Sequence, residues 1–154
     1  MSTHCFVDAS HGSDPATRRL QTGILIFCNR APIIWYSKRQ NTVEASIFGS
    51  EFQVMKNAVE IIEALRYKLR MFGVPIDGPT NIFCDNEAVT KNTTLPESTL
   101  KKKHHSIAYH GCREAVAAKT VKVAKEDTST NISDLFTKLR PQPRHEDLLD
   151  RFTY

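Results

Sequence analysis

The chain has 154 residues, of which 40% are hydrophobic and 25% are charged. This length suits one domain around a single core, and the chain has no apolar run approaching the ~18 residues of a membrane helix, which argues against a membrane-spanning protein. The formal net charge of +4 favours a polyanionic partner without requiring one.

The first third of the chain is predicted to form three strands. They read "HCFVDAS" at 4–10, "TGILIFC" at 22–28 and "IIWYSKRQ" at 33–40. These runs are rich in β-branched and aromatic residues, and Gly, Pro, Asp and Asn punctuate the segments between them. Because the connections are short, we expect the three strands to pair antiparallel.

A long helix is predicted next, from about Ala45 to Phe72. Its apolar residues recur at steps of three and four, which gives one continuous face: Phe48, Phe52, Met55, Val59, Ile62, Leu65, Leu69 and Phe72. Gly73 with Pro75 is the expected stop. A fourth strand, "NIFCD", follows at 81–85, and the intervening helix makes it parallel to a strand of the first sheet.

The rest of the chain continues the alternation of helix and strand. We predict a short helix at 86–93, a polar connector at 94–103, an amphipathic helix at 104–118, a fifth strand at 120–126 and a terminal helix at 131–139. Apolar positions of the amphipathic helix include Ile107, Cys112 and Val116, and Asn131 or Ser133 lies near the start of the terminal helix. The order βββαβαβα indicates a mixed sheet flanked by helices.

The N-terminus and the cysteines favour a reducing, intracellular compartment. "MSTHCFVDAS" lacks the basic start and apolar stretch of a secretory signal. The four cysteines, Cys5, Cys28, Cys84 and Cys112, are scattered without a CxxC pair. They are interpreted as small buried hydrophobes rather than a disulfide framework or a zinc site.

Two predicted strands end in an acid with the same local pattern. Asp8 follows "CFV" and Asp85 follows "IFC". If the two strands are adjacent and parallel, their carboxylates lie side by side at the sheet edge where ligands bind in open α/β sheets. The alternative is that each acid only ends its strand, since Asp and Asn suit caps and turns.

Two further acids lie near helix starts. At about 100° per residue, Glu51 falls on the edge of the apolar face of the long helix and points toward the sheet, whereas Glu60 points outward. Asp134 lies at the start of the terminal helix. Stabilisation of the helix dipole or capping could explain either residue.

A cluster of three or four carboxylates is unfavourable unless cations occupy it. Hard divalent ions prefer oxygen ligands, and two of them about 4 Å apart can clamp the attacking water and leaving oxygen of a phosphodiester. The four acids are therefore either unrelated caps or one metal site.

Several motifs together resemble a known family. "VDAS", "TRRLQTG", "WYSKRQNTV", "GSEF", "FCDNE", "KKKHHSIAYHGCRE" and "SDLFTK" occur in order between His4 and Lys138. This combination resembles the ribonuclease H domain of copia-type retrotransposon polyproteins. The resemblance implies a ribonuclease H-like fold over residues 1–140, with a C-terminal tail at 141–154. The implied five-stranded mixed sheet has strands 1–3 antiparallel and strands 4 and 5 parallel to strand 1.

The resemblance implies an endoribonuclease that hydrolyses the RNA strand of RNA–DNA hybrids with two ions of Mg²⁺ or Mn²⁺. The family's four acids correspond to Asp8, Glu51, Asp85 and Asp134. Asp8 and Asp85 would bridge or hold the metals, Glu51 would hold one metal near the ribose 2′-hydroxyl, and Asp134 would hold the metal that activates water. Plausible phosphate contacts are Lys38, Arg39, Lys101, Lys102 and Lys103.

The implied partners are an RNA–DNA hybrid and a reverse transcriptase domain. Such a domain normally precedes this one, but the chain opens a few residues before the first strand, so we expect an excised domain, a remnant or an independent gene product. We expect it in a cytoplasmic particle or the nucleus. The segment before the last acid departs from the family, with Asn131 where Gln is usual and Asp127 where Pro is frequent.

Other hypotheses remain open at the sequence level. The first alternative is a catalytically silent ribonuclease H-like domain that binds nucleic acid or a polymerase partner, and the others are a different nuclease or recombinase of this fold and an unrelated structural protein. His104, His105 and His110 with Cys112 have helical spacing but lack the second ligand pair that tetrahedral zinc usually needs. His11 is a slim candidate for proton transfer, and His145 has no local support.

Overall fold

The computed structural model describes residues 1–10, 21–39, 47–95 and 106–153. Within these ranges five strands form one sheet: β1 (Thr3–Ser10), β2 (Gln21–Cys28), β3 (Ala31–Arg39), β4 (Thr80–Cys84) and β5 (Val121–Lys125). The helices are α1 (Ile47–Met71), α2 (Glu87–Thr94), α3 (Ser106–Ala117), a 3₁₀ helix (Ile132–Phe136) and α4 (Gln142–Thr153).

The sheet has the strand order β3-β2-β1-β4-β5. β1 pairs antiparallel with β2, and β2 pairs antiparallel with β3. β4 is parallel to both β1 and β5. The strand directions predicted from the sequence are therefore confirmed, and β1 lies at the centre of the sheet.

Each face of the sheet has its own core. On one face, Val7 and Ile82 belong to the main cluster with Phe52, Met55 and Ile62 of α1. On the other face, a smaller cluster joins Leu25 and Phe27 of β2 to Ile132 of the 3₁₀ helix. Strand β2 contributes Ile24 and Ile26 to the first cluster and Leu25 and Phe27 to the second, so it is covered on both faces, which explains its near-continuous apolar run.

Helix α1 ends as its sequence predicts. Gly73 has φ +71°, and the amides of Gly73 and Val74 donate to the carbonyls of Arg70 and Leu69. This is the paired bonding of a Schellman cap, in which glycine adopts the left-handed conformation at low cost. Phe72, however, was assigned to the buried face and is 82% exposed, because it lies beyond the last helical residue.

Two expectations for the later helices need correction. Ile107, predicted on the apolar face of α3, is 77% exposed. The terminal helix predicted at 131–139 is a five-residue 3₁₀ helix, and α4 follows it, with Leu148 fully buried. The boundary placed at residue 140 stays a prediction. In the described ranges, none of the helices combines the length and hydropathy needed to cross a bilayer.

Candidate active site

The ends of β1 and β4 bring two of the predicted acids together. In the parallel register Val7 lies opposite Cys84, so Asp8 and Asp85 follow at neighbouring positions on adjacent strands. A small pocket at this edge is lined by Asp8, Glu51, Cys84 and Asp85, together with apolar side chains. The arrangement expected from the repeated strand ending is present.

Glu51 reaches this pocket from the second turn of α1. Its Oε2 atom is buried and has no hydrogen-bond partner among the described residues. Burial and the neighbouring charge of Asp85 raise the pKa of Glu51 to about 7, although a hydrogen bond with the Asn86 side chain lowers it. A half-buried carboxyl group with an unsatisfied oxygen fits a position next to a bound water or cation.

Asn86 is a link between Glu51 and the end of β4. Its side-chain oxygen accepts hydrogen bonds from the amides of Ala88 and Val89, at 2.8 Å and 3.2 Å, and so caps α2. The capping role expected of an Asn at this position is therefore observed. Asp85, which could have shared that role, accepts neither of these amides and lines the pocket instead.

Asp134 lies beside Asp8 on the other face of the sheet edge. Lys138 Nζ is 2.7 Å from Asp134 Oδ1 and 3.2 Å from Asp8 Oδ2. Arg140 donates to the second oxygen of Asp134, and the Thr137 hydroxyl donates to Asp8. The side chains of both acids are almost fully buried, at 0% exposed for Asp134 and 2% for Asp8.

Asn131 fixes the 3₁₀ helix against β1. It is fully buried, and its side-chain nitrogen donates to the carbonyl of Val7 at 3.0 Å. Its oxygen accepts from the amide and the hydroxyl of Ser133, at 3.2 Å and 2.6 Å, which caps the helix. Because Val7 immediately precedes Asp8, this bond joins the 3₁₀ helix that carries Asp134 to the central strand next to Asp8.

Asp8, Asp134 and Lys138 affect one another through hydrogen bonds and charge. Burial raises the pKa of Asp8, and the hydrogen bond from Thr137 and the charge of Lys138 offset this only in part. Burial lowers the pKa of Lys138, but its hydrogen bonds and charge interactions with Asp134 and Asp8 outweigh burial, so the net shift is upward. Lys138 is therefore held as a cation.

The four predicted acids thus fall into two pairs that meet at the end of β1. Glu51 and Asp85 form one pair, and their carboxylate oxygens and the Cys84 sulfur lie within 4.8 Å of one another. Asp8 and Asp134 form the other pair, joined through Lys138. Clustered carboxylate oxygens, one of them buried without a partner, are a donor set that fits a hard divalent cation.

The other predicted site residues have different positions. Lys38 and Arg39 are exposed at the end of β3, where Lys38 pairs with Thr22 in the sheet register. This is the same end of the sheet as Asp8, because Gly23, the next residue of β2, pairs with Asp8. Lys101, Lys102 and Lys103 lie outside the described residues, as do His11, His104 and His105.

Sequence reasoning missed several residues of this site. Thr137 and Lys138 belong to the "SDLFTK" motif but received no role, although an acid followed four residues later by a lysine on a helix is a pairing signal. Cys84 is buried as predicted, yet it also borders the acids. Arg140 carries no sequence signal, since its contact depends on the path of the chain after the 3₁₀ helix.

Comparison with known proteins agrees with the resemblance seen in the sequence. No family model matches the chain. It is 26% identical over 138 residues to the retrovirus-related Pol polyprotein from transposon RE2 of Arabidopsis thaliana, which covers 90% of this chain and 10% of the relative. It is 28% identical over 144 residues to the retrovirus-related Pol polyprotein from transposon TNT 1-94 of Nicotiana tabacum. This match covers 92% of this chain and 10% of the relative. The chain spans about a tenth of the length of these curated relatives.

Solved structures share its architecture. The RNase H1 of the archaeon Halobacterium salinarum NRC-1 has a TM-score of 0.64 at 14% identity, covering 97% of this chain and 98% of that one. LC11-RNase H1 in complex with an RNA/DNA hybrid has a TM-score of 0.64 at 10% identity. The match covers 84% of this chain and 88% of that one. Foamy viral protease-reverse transcriptase in complex with an RNA/DNA hybrid has a TM-score of 0.61 at 14% identity. The match covers 94% of this chain and 20% of that one. The five-stranded mixed sheet with its helices is the ribonuclease H fold.

Proposed function

We propose that this chain is a metal-dependent ribonuclease H domain of a retrotransposon polyprotein. It would hydrolyse the RNA strand of RNA–DNA hybrids as an endonuclease. The observation that carries the proposal is the meeting of four acids from four separate elements at the end of β1: Asp8, Glu51, Asp85 and Asp134. Capping explains neither Asp85 nor Asp134, since Asn86 caps α2 and Asn131 caps the 3₁₀ helix.

The donor set supports divalent metal ions as cofactors. Glu51 and Asp85, with Asp8 beside them, would hold one ion, and Asp8 with Asp134 would hold a second. Bound Mg²⁺ or Mn²⁺ lowers the pKa of a coordinated water and neutralises charge that develops on a phosphodiester. The buried Oε2 of Glu51 gains in such a site the partner that the protein alone does not provide.

The protein's own groups would orient the substrate around these acids. The 2′-hydroxyl distinguishes RNA from DNA, and Glu51, at the start of α1, is the acid assigned to that side of the scissile bond. Exposed Lys38 and Arg39 at the same end of the sheet would bind backbone phosphates. Since phosphate contacts carry no base information, we expect cleavage to be largely independent of sequence.

The relatives and the similar solved structures support the proposed partners of the domain. Two of the similar solved structures are complexes with an RNA/DNA hybrid, and one of these is a protease-reverse transcriptase. A reverse transcriptase that produces such hybrids is therefore the proposed partner. The chain would remove the RNA template after copying.

The test is cleavage of a hybrid whose RNA strand carries an end label, in Mg²⁺ or Mn²⁺. We expect the RNA strand to be cut and single-stranded RNA, duplex RNA and duplex DNA to be spared. Asp85→Asn and Glu51→Gln should each lower the rate by about 100-fold or more, because a lost metal ligand removes several kcal/mol of transition-state stabilisation.

Matched controls remove a charge elsewhere. Glu60→Gln alters the same helix, where Glu60 pairs with Lys56 at 3.0 Å, and Asp77→Asn alters a loop acid that pairs with the N-terminus. Both controls should cleave as the parent does. If neither the parent nor the controls cleave while the hybrid still binds, the catalytically silent domain is the correct function, and equal cleavage by Asp85→Asn would mean that the site is elsewhere.

A further inference from the structure

The ammonium group of Lys138 lies between two buried carboxylates. It is 2.7 Å from an oxygen of Asp134 and 3.2 Å from an oxygen of Asp8. The two acids are almost fully buried, whereas the Lys138 side chain is 30% exposed. The lysine therefore reaches the acids from the solvent side, along a path that its flexible stem can reverse.

The distribution of cations over the four acids is uneven. In the described part of the chain, Lys138 and Arg140 are the basic side chains within 4 Å of these acids, and both contact the Asp8–Asp134 pair. Neither Glu51 nor Asp85 forms an ion pair with any described residue. One half of the cluster is thus neutralised by the protein and the other half is not.

Because Asp8 and Asp134 are buried, the cations beside them affect the stability of the protein. A buried carboxylate that loses its partner charge is strongly destabilising, so Asp8 and Asp134 need a cation at all times. When no metal is bound, Lys138 provides it for Asp8, and Lys138 together with Arg140 provides it for Asp134. The hydrogen bonds of Lys138 use oxygen lone pairs that a divalent ion would also need, because carboxylate oxygens are the ligands of such ions.

We propose that Lys138 is an internal counter-ion that competes with a divalent cation for Asp8 and Asp134. The inference rests on the proposed function to the extent that this site binds a divalent cation. The pair formed by Glu51 and Asp85 then takes an ion without displacing any protein cation. Occupation of the Asp8–Asp134 pair requires the Lys138 ammonium to swing out to solvent, which makes the second ion the weaker one.

The first test is a titration of the metal-free protein with Mn²⁺. Calorimetry measures the heat of binding, and electron paramagnetic resonance measures the concentration of the free ion. Lys138→Met keeps the length of the side chain but removes its charge. We expect it to bind the weaker Mn²⁺ at least about tenfold more tightly than the parent does. In EDTA its melting temperature should fall by about 5 °C or more, and saturating Mn²⁺ should recover this loss.

Two control variants distinguish competition between Lys138 and the metal ion from a general effect of the protein's net charge. Lys138→Arg keeps the cation and should not tighten Mn²⁺ binding. Lys125→Met removes one positive charge from β5, the strand next to β4. Lys125 pairs with Cys84 in the sheet register and contacts Glu87. Equal tightening by Lys125→Met, or unchanged or weaker binding by Lys138→Met, would overturn the proposal.

A second measurement needs no variant to fold. The side-chain ammonium of Lys138 should give a protected ¹H–¹⁵N signal in EDTA, since it is hydrogen-bonded to both acids. This signal should broaden or vanish during a Mg²⁺ titration, and its persistence at saturating Mg²⁺ would refute displacement. Absence of any Mn²⁺ binding would instead overturn the proposed function, so the two failures are distinguishable.

Discussion

Gly23 lies directly opposite Asp8 in the antiparallel ladder of β1 and β2. A Cβ atom at Gly23 would be 2.6 Å from Cγ2 of Thr137 and 2.8 Å from the carbonyl oxygen of Ser133. The absence of a side chain on β2 therefore lets the 3₁₀ helix approach the sheet closely enough for Thr137 to bond Asp8.

Gly23→Ala should push the 3₁₀ helix away from β1. The contact with the Ser133 carbonyl is to backbone, so it cannot be relieved by a side-chain rotation. We expect a loss of about 1–3 kcal/mol in unfolding free energy from overpacking, and a fall in hybrid cleavage under conditions where the protein stays folded. Denaturant melts and cleavage rates would measure both.

Gly111→Ala is the matched control for this substitution. A Cβ at Gly111 meets no atom within 4 Å, and the residue lies inside α3. Alanine should therefore stabilise the protein by about 0.5–1 kcal/mol and leave cleavage unchanged. A Gly23→Ala protein that matches Gly111→Ala in stability and rate would contradict the requirement for close approach.

Asn131→Ala should cost more than the loss of an ordinary helix cap. It removes the cap of the 3₁₀ helix and also the bond to the Val7 carbonyl, which is left buried. We expect about 2–3 kcal/mol in unfolding free energy. Asn86→Ala removes a more exposed cap from α2 and also a hydrogen bond with Glu51, and should cost about 1–2 kcal/mol. A loss for Asn131→Ala of only about 1 kcal/mol in urea melts, that of an ordinary cap, would show that the Val7 bond contributes nothing.

The pKa of Glu51 predicts a pH dependence of stability in the metal-free protein. Folding raises this pKa from 4.5 to about 7, so the folded state binds the proton more tightly. The resulting stabilisation is fully present below about pH 4.5 and is lost as the pH rises through 7. Relative to Glu51→Gln, the parent should lose about 1–2 kcal/mol between pH 4.5 and 8, allowing for partial solvent exposure.

Urea melts in EDTA at several pH values would measure this difference. Glu60→Gln is the control, because Glu60 forms an ion pair with Lys56 on the outer face of α1. It removes a carboxylate of the same helix outside the acid cluster, so its difference from the parent is the baseline for Glu51→Gln. A pH dependence of Glu51→Gln no greater than this baseline would mean that Glu51 titrates in the folded state as it does in a free chain.

Lys38→Ala and Arg39→Ala should weaken hybrid binding and its dependence on salt. Each phosphate contact adds about one to the slope of log affinity against log salt. Loss of one contact should therefore lower the slope by about one without changing sequence preference. Binding of a labelled hybrid across a range of KCl concentrations, in Ca²⁺ or EDTA, would measure it.

Lys68→Ala is the control for the binding experiment. Lys68 is in the last turn of α1, seventeen residues beyond Glu51, or about 25 Å along the helix. Removing it deletes the same charge far from the acids and should leave the slope unchanged. An equal decrease for Lys68→Ala would assign the salt dependence to net charge rather than to contacts at the end of β3.

The sequence predicted the elements that position the acids because those elements are locally determined. Alternation and helical periodicity identify β1, β4 and α1, and the crossover through α1 predicts that β4 is parallel to a strand of the first sheet; that its neighbour is β1 is seen only in the structure. The direction of Glu51 followed from the rigid geometry of a helix. These predictions needed no knowledge of distant contacts.

The wrong predictions concern residues whose burial or helix length depends on packing against segments distant in sequence. Phe72 and Ile107 fit an apolar period, but periodicity does not tell how far along a helix the sheet provides cover. The helix expected at 131–139 stops at Phe136, and Pro141 disfavours a helical Arg140 before α4 begins. Lys138 bridges Asp134 to Asp8, which is 130 residues away in sequence, so no local pattern could have predicted that contact.

The long sequence separation between Asp8 and its partners has a consequence for synthesis of the chain. Thr137 and Lys138 contact Asp8 across 129 and 130 residues, and Asn131 reaches Val7 across 124. A ribosome-bound chain therefore carries β1 and β4 well before the group that completes the acid cluster has emerged. A nascent domain of this kind therefore completes its acid cluster only after the 3₁₀ helix and the residues that follow it have left the exit tunnel.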